Sequence, residues 1–188
     1  MDNRSLLMQC ALRLFAARGY DAIGVQEIAE AAKVTKPTLY HYFKSKRGVL
    51  EALVAEGFQP FLHDLAEAAR FEGDLPHSMY RVITTFFAFA RREPLLYRMQ
   101  LAMWFVLPES EAHQVISSIT QQQQQILEQL FLESAERHGN MRGRHRIYSA
   151  TFLGVINTYI GISLNHSMEL NDEAVHRLIQ QFSHGIYS

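Results

Sequence analysis

Apolar residues recur along this chain at spacings of three and four, and no stretch keeps the two-residue alternation of a half-buried strand. Leu7, Ala11, Leu14 and Phe15 share one face of a helix over about residues 4–18, and Gly19 is placed to stop it. Val25, Ile28, Ala29 and Ala32 predict a short second helix over about 25–32. A third opens after Thr35, whose hydroxyl can satisfy exposed N–H groups, with Pro37 in the first turn where its missing N–H costs nothing. Ser45 caps a fourth helix reaching about residue 70, with a kink expected at Gly57 and Pro60. Asp74 and Pro76 start a fifth that ends before Pro94, and a sixth lies between Pro94 and Pro108. Three more are expected over about 110–138, 144–165 and 172–187. The run Gln121–Gln125 reads as an exposed face of the seventh helix. The pattern is therefore all-α, with about nine helices. A three-helix helix-turn-helix unit, residues 1–47, is joined by the long fourth helix to a larger helical domain, residues 48–188.

Composition changes this picture little. With 188 residues, 48% of them hydrophobic, the chain has enough apolar material for a substantial core. The single cysteine, Cys10, excludes an intrachain disulfide and fits a reducing cytosol. Asp2 and Arg4 precede only a short, interrupted apolar run, so no signal peptide is expected and the compartment read is cytoplasmic. Residues 147–168 contain no Asp, Glu, Lys or Arg, a length that could cross a bilayer. Asn157, Asn165 and His166, together with several Ser and Thr residues, favour a buried helix there, because lipid would leave them costly to solvate.

Charge distribution says more than net charge. Residues 1–56 carry eight Lys/Arg against six Asp/Glu, whereas 57–188 carry ten against thirteen. Every lysine, Lys33, Lys36, Lys44 and Lys46, falls within "KVTKPTLYHYFKSK". Three short helices with a tight turn at 33–35 describe a helix-turn-helix, whose third helix enters the major groove with its N-terminal residues toward base edges. Lys36 leads that helix, while Lys44, Lys46 and Arg47 surround the start of the fourth, where its positive dipole end also favours phosphate. Tyr40 and Tyr42 can donate hydroxyl hydrogen bonds to phosphate.

The ordered elements "LFAARGY", "V-x-E-I-A-x-A-A-x-V-T" and "TLYHYFKSKRGVLEAL" resemble the DNA-binding domain of the TetR (tetracycline-repressor) family over about residues 6–53. The resemblance implies that the third helix is the recognition helix and that Thr35, Lys36, Pro37, Thr38, Tyr40 and His41 occupy DNA-contact positions. It likewise assigns Tyr42 and Lys46 to the phosphate backbone. Two departures stand out. Ile23-Gly24 replaces the usual Thr or Ser cap of the second helix, and Lys33 replaces the usual turn glycine. Lys33 either bears the strain of a positive φ or the turn differs and its side chain reaches a phosphate.

The resemblance also implies a small-molecule pocket and a dimer interface in the larger domain. The fifth and sixth helices are rich in large soft side chains, as the wall of a cavity between helices would be. Phe61, Phe86, Phe89, Met103, Trp104 and Tyr159 are the candidate wall, with Gln100, Asn157 and Thr158 as polar contacts. The charge-free eighth helix points to an apolar or aromatic ligand, although Arg98 could meet an anion. Ala150, Gly154 and Gly161 form a small-residue stripe on the eighth helix, and Val175, Leu178, Ile179, Phe182 and Ile186 an apolar stripe on the ninth. Two such helices from each chain would make a four-helix homodimer interface about a two-fold axis.

The rival class is an all-helical enzyme or metal protein built from converging histidines. His41, His63, His77, His113 and His138 lie far apart, and there is no His-Glu-x-x-His pair and no cysteine–histidine zinc framework. Cys10 sits among small and apolar neighbours rather than in a nucleophile's setting. The sequence therefore reads as a regulator and not an enzyme, with no cofactor and no metal. It is expected to be a ligand-released repressor whose partners are double-stranded operator DNA, a small-molecule effector and a second copy of itself, with no membrane.

Overall fold

Nine helices and no strand form among the residues that the computed structural model describes, 2–137 and 141–184. They are α1 (Asn3–Arg18), α2 (Val25–Ala31), α3 (Lys36–Phe43), α4 (Lys46–Ala68), α5 (Leu75–Arg92), α6 (Pro94–Trp104), α7 (Glu111–Arg137), α8 (His145–Leu164) and α9 (Asp172–His184). The expected ends of the seventh and ninth helices, at His138 and at residues 185–187, lie outside the described residues. Two compact units make up the fold: Met1–Pro60 with Leu95–Ile119, and Phe61–Pro94 with the chain from Thr120 onward.

In the first unit α1 packs on α2 and α3, and α2 packs on α3. Asp2 opens α1 by accepting from the Ser5 N–H at 2.7 Å, and Gly19, at φ 81°, ends it. The inward faces carry Leu7, Ala11 and Phe15 from α1, Ile28 and Ala29 from α2, and Leu39 and Phe43 from α3, all buried. Full burial of one such large apolar side chain contributes about 1.5–3 kcal/mol, which is what makes short helices like α2 and α3 persist. Arg4 reaches from α1 to Glu56 on α4, and this guanidinium holds the Glu56 carboxyl below its ordinary range. Gly57 and Pro60 lie inside α4 without ending it. At Gly57 the missing side chain leaves room for Leu96 of α6, which would meet any added Cβ.

In the second unit α5 packs on α8 and α9, and α8 packs on α9. Asp74 caps α5 by accepting from the His77 N–H at 3.0 Å, and Asn171 caps α9 by accepting from Ala174 at the same distance. Val82, Ile83, Phe86, Phe87 and Phe89 of α5 are buried, as are Phe152, Leu153, Ile156 and Ile160 of α8. By length and composition α8 could cross a membrane, and a third of that window is buried inside the fold. The glutamine run is not a uniformly exposed face. Gln123 is fully buried, and Gln124 donates to the Ser149 hydroxyl on α8 at 2.6 Å. The helical period turns part of any five-residue run inward, which composition alone does not reveal.

Candidate nucleic-acid interface

The turn between α2 and α3 is built on hydrogen bonds from Val34 N–H to the Ala29 carbonyl and from Lys33 N–H to the Glu30 carbonyl. That pair is the Schellman arrangement, which places the residue after the cap in the left-handed region. Lys33 occupies it with φ 54°. Of the two alternatives at this position, the strained backbone is the one adopted. At the other end of α2, Gly24 supplies no side-chain acceptor, but its N–H donates to Glu27 at 3.2 Å. This bond first, and the Arg18 ion pair second, hold the Glu27 carboxyl below its ordinary value.

α3 is pinned from inside and open outside. Leu39 and Phe43 are buried, while Thr35, Lys36, Pro37, Tyr40, His41 and Tyr42 are exposed and Thr38 is half-buried. The Thr35 hydroxyl caps the helix by accepting from the Thr38 N–H at 3.4 Å, and the two threonine hydroxyls lie 2.9 Å apart. The His41 and Tyr42 rings meet edge-on at 5.1 Å. The candidate α3 positions other than Thr38 are therefore open to solvent, in the unit that holds all the lysines.

The passage from α3 to α4 is tight. Lys44 sits at φ 64°, ψ −31°, and Ser45 N–H bonds the Phe43 carbonyl at 2.8 Å across it, a strained three-residue turn. This tips the Phe43 carbonyl onto the first turn of α4, where Gly48 stands with its N–H donated to the Ser45 hydroxyl at 2.9 Å. Any Cβ at position 48 would collide with that carbonyl.

Lys46 is half-buried and its ammonium is already engaged. It donates to the Tyr20 carbonyl at 3.0 Å and lies 4.0 Å from the centre of the Tyr20 ring. Tyr20 is only 3% exposed, and its hydroxyl donates to Glu111 in the first turn of α7 at 2.6 Å. Burial, then the Glu111 hydrogen bond, push its ionisation far above the ordinary tyrosine range, so the hydroxyl remains a donor. Next to Lys46, Arg47 bonds Glu51 at 2.8 Å and Gln114 at 3.0 Å. Tyr20 closes the element "LFAARGY", but nothing in the sequence indicated its contacts, because its partners are 26 and 91 residues away.

The remaining candidates fall elsewhere. In the second unit Phe61 is buried, stacked on Phe89 at 4.3 Å and edge-on to Phe86 at 5.0 Å. Tyr159 is buried with its hydroxyl donated to Gln181 at 3.0 Å. Met103 is buried and Trp104 half-buried, both in the first unit, with Gln100 fully buried there too. The aromatic trio does not line the clefts of about 810, 550 and 200 Å³ found in the second unit. On α8, Ala150 and Gly154 are exposed and Gly161 half-buried; on α9, Ile179 and Phe182 are half-buried. Val175 and Leu178 are buried within the protomer, so a second copy could not cover them further. Ile186 and His138 lie outside the described residues. Among the described residues no three His, Cys, Asp or Glu side chains converge on one point.

The family model of bacterial regulatory proteins of the tetR family matches residues 7–53. The HTH-type transcriptional activator FasR of Mycolicibacterium smegmatis is 30% identical over 114 residues, 61% of this chain and 52% of that protein. The HTH-type transcriptional repressor KstR2 of Rhodococcus jostii is 44% identical over 63 residues, 34% of this chain and 29% of its own length. The chain thus spans about half the length of FasR and less of KstR2. The regulator FadR of Bacillus subtilis, solved in complex with stearoyl-CoA, superposes with a TM-score of 0.79 at 22% identity, covering 97% of this chain and 99% of that one. FadR of Bacillus halodurans, a fatty acid degradation regulator, gives 0.79 at 20% identity, covering 97% of this chain and 98% of its own. At such identities the two structures speak for the fold.

Proposed function

Residues 7–53 make this chain a member of the tetR family of bacterial regulatory proteins, and from that premise we propose that it is a homodimeric DNA-binding transcriptional repressor. Members of that family are regulators of transcription and not enzymes. In this reading residues 1–47 are the DNA-binding domain, residues 48–188 carry effector binding and dimerisation, and the protein acts in the cytoplasm. The observation that carries it is the division of α3: Leu39 and Phe43 anchor one side, Pro37 and His41 face the opposite side, and Thr35, Lys36 and Tyr40 are exposed beside them. A helix so anchored presents its N-terminal side chains to base edges, with Tyr42 and Lys46 placed for the flanking phosphates.

The two α3 helices of a dimer would read successive major grooves of a pseudo-palindrome, with half-site centres about 10 base pairs apart. Purified protein should select from a random duplex pool fragments that converge on an inverted repeat. A pool that shows no enrichment over a mock selection would remove the operator-binding reading.

The effector is proposed to be a small apolar or aromatic molecule that opens the Phe61–Phe86–Phe89 cluster, with Tyr159 as a further wall residue. The rings there are in mutual contact, so binding must select a conformation in which they part. The stearoyl-CoA complex of FadR makes acyl chains the first class to try. An acyl-CoA series and a set of small aromatic acids should be compared for release of the selected duplex. Release requires tighter binding to the DNA-free state, since equal affinity for both states shifts nothing.

A further inference from the structure

Lys46 and Glu111 never touch, yet one residue holds both. The Tyr20 carbonyl accepts from the Lys46 ammonium at 3.0 Å, and its ring lies beneath that ammonium at 4.0 Å. Its hydroxyl, on the far side of the same ring, donates to Glu111 at 2.6 Å. Arg47 runs a second strut alongside, from α4 to Gln114, one turn beyond Glu111 on the same face of α7. All of these residues belong to the first unit.

From this geometry we infer that Tyr20 is a positioning residue for DNA binding: it fixes the Lys46 ammonium and ties it to the N-terminus of α7. The inference rests on the DNA-binding reading above. An ammonium has three donors. The Tyr20 carbonyl uses one of them and leaves two for a phosphate, so the contact aims the cation and does not withdraw it. A free lysine side chain would have to be ordered when DNA arrives, at a cost in rotamer freedom, whereas one held over a ring is ordered beforehand. The ring is itself immobile, being buried and hydrogen-bonded at its tip. Displacement of Lys46 toward a phosphate pulls on Tyr20, and through its hydroxyl on Glu111. By linkage, displacement of the α7 N-terminus acts back on Lys46 with the same free energy.

The chain provides its own reporter. Trp104, the only tryptophan, ends α6 in the same unit, seven residues before Glu111. The experiment titrates the full-length protein with a random-sequence duplex at low salt, follows Trp104 fluorescence, and carries each variant to saturation so that differences in affinity drop out. Wild-type protein should show a DNA-dependent change. Tyr20→Phe keeps the ring and the carbonyl but breaks the bond to Glu111, and should reduce the amplitude at least about twofold. Glu111→Ala, at an exposed position where folding is not at stake, should do the same, whereas Glu111→Gln retains an acceptor and should restore the wild-type amplitude. A wild-type protein that binds duplex without a change at Trp104 would overturn the inference while leaving DNA binding intact. So would equal amplitudes in Tyr20→Phe, Glu111→Ala and wild type. A wild-type protein that fails to bind duplex at all, measured independently by anisotropy of labelled DNA, would remove the DNA-binding reading and this inference with it.

Discussion

Lys33 and Gly48 show two opposite ways in which a single position meets its backbone. At φ 54° Lys33 holds a left-handed conformation that costs an L-residue about 1–2 kcal/mol, and glycine would hold it without that cost. Glycine also loses more freedom on folding, which offsets part of the gain. Lys33→Gly is therefore expected to raise stability by up to about 1 kcal/mol, read as a higher urea midpoint at an unchanged slope. Gly48 is the reverse case, since the Phe43 carbonyl occupies the place of its Cβ. A carbonyl fixed by the strained Lys44 turn cannot swing aside as a flexible side chain would. Gly48→Ala should lower stability by about 1–3 kcal/mol, with the same urea titration as the check. The sequence made the Lys33 question legible, because a turn of known type demands a residue type at a given place. Nothing in it flagged Gly48, whose requirement comes from a carbonyl five residues earlier. Periodicity describes side chains and is blind to a backbone oxygen.

Among the elements, helix starts were the most legible features. Thr35, Ser45 and Asp74 each accept from the backbone N–H three residues on, as their chemistry and position imply. The face of α3 was legible for a similar reason, since Leu39 and Phe43 at a spacing of four share the buried side and leave Pro37 and His41 on the opposite one, with Lys36 and Tyr40 exposed on its flank. Contacts between elements were not legible. Position 46 promised a free cation, and the structure gives a cation seated on Tyr20. The aromatic residues of α4 and α5 suggested a cavity wall, and Phe61, Phe86 and Phe89 close on one another. Large soft side chains suit a pocket or a core equally, and only packing decides between them. The α4 terminus yields a prediction of its own. If Lys46 meets a single phosphate, Lys46→Ala should weaken binding to every duplex alike and reduce the slope of log affinity against log salt by about one unit. An unchanged slope in a folded variant would leave Lys46 as a structural partner of Tyr20 and nothing more.

On the scale of the whole molecule, the question is how two recognition helices come to act together. One face of α8 stays uncovered in the protomer, with Ile147 61% and Ile162 38% exposed and Ala150 and Gly154 between them. Hydrophobic and small residues left open on one stripe suit close approach by a second helix, and the half-buried Ile179 and Phe182 of α9 can extend that surface. Gly154 separates the roles of fold and assembly, because a Cβ there meets nothing within 4 Å in the protomer. Gly154→Phe should leave the protomer folded, with no loss of thermal stability beyond that due to dissociation, and should block the approach of a partner α8. Sedimentation at micromolar concentration should give a dimer for wild type and a monomer for the variant. Loss of the dimer also removes the second half-site, so affinity for a selected palindrome should fall on the order of a hundredfold while affinity for a single half-site stays the same. A variant that remains dimeric would move the interface away from α8, and a wild type that sediments as a monomer would end the paired-groove mechanism altogether.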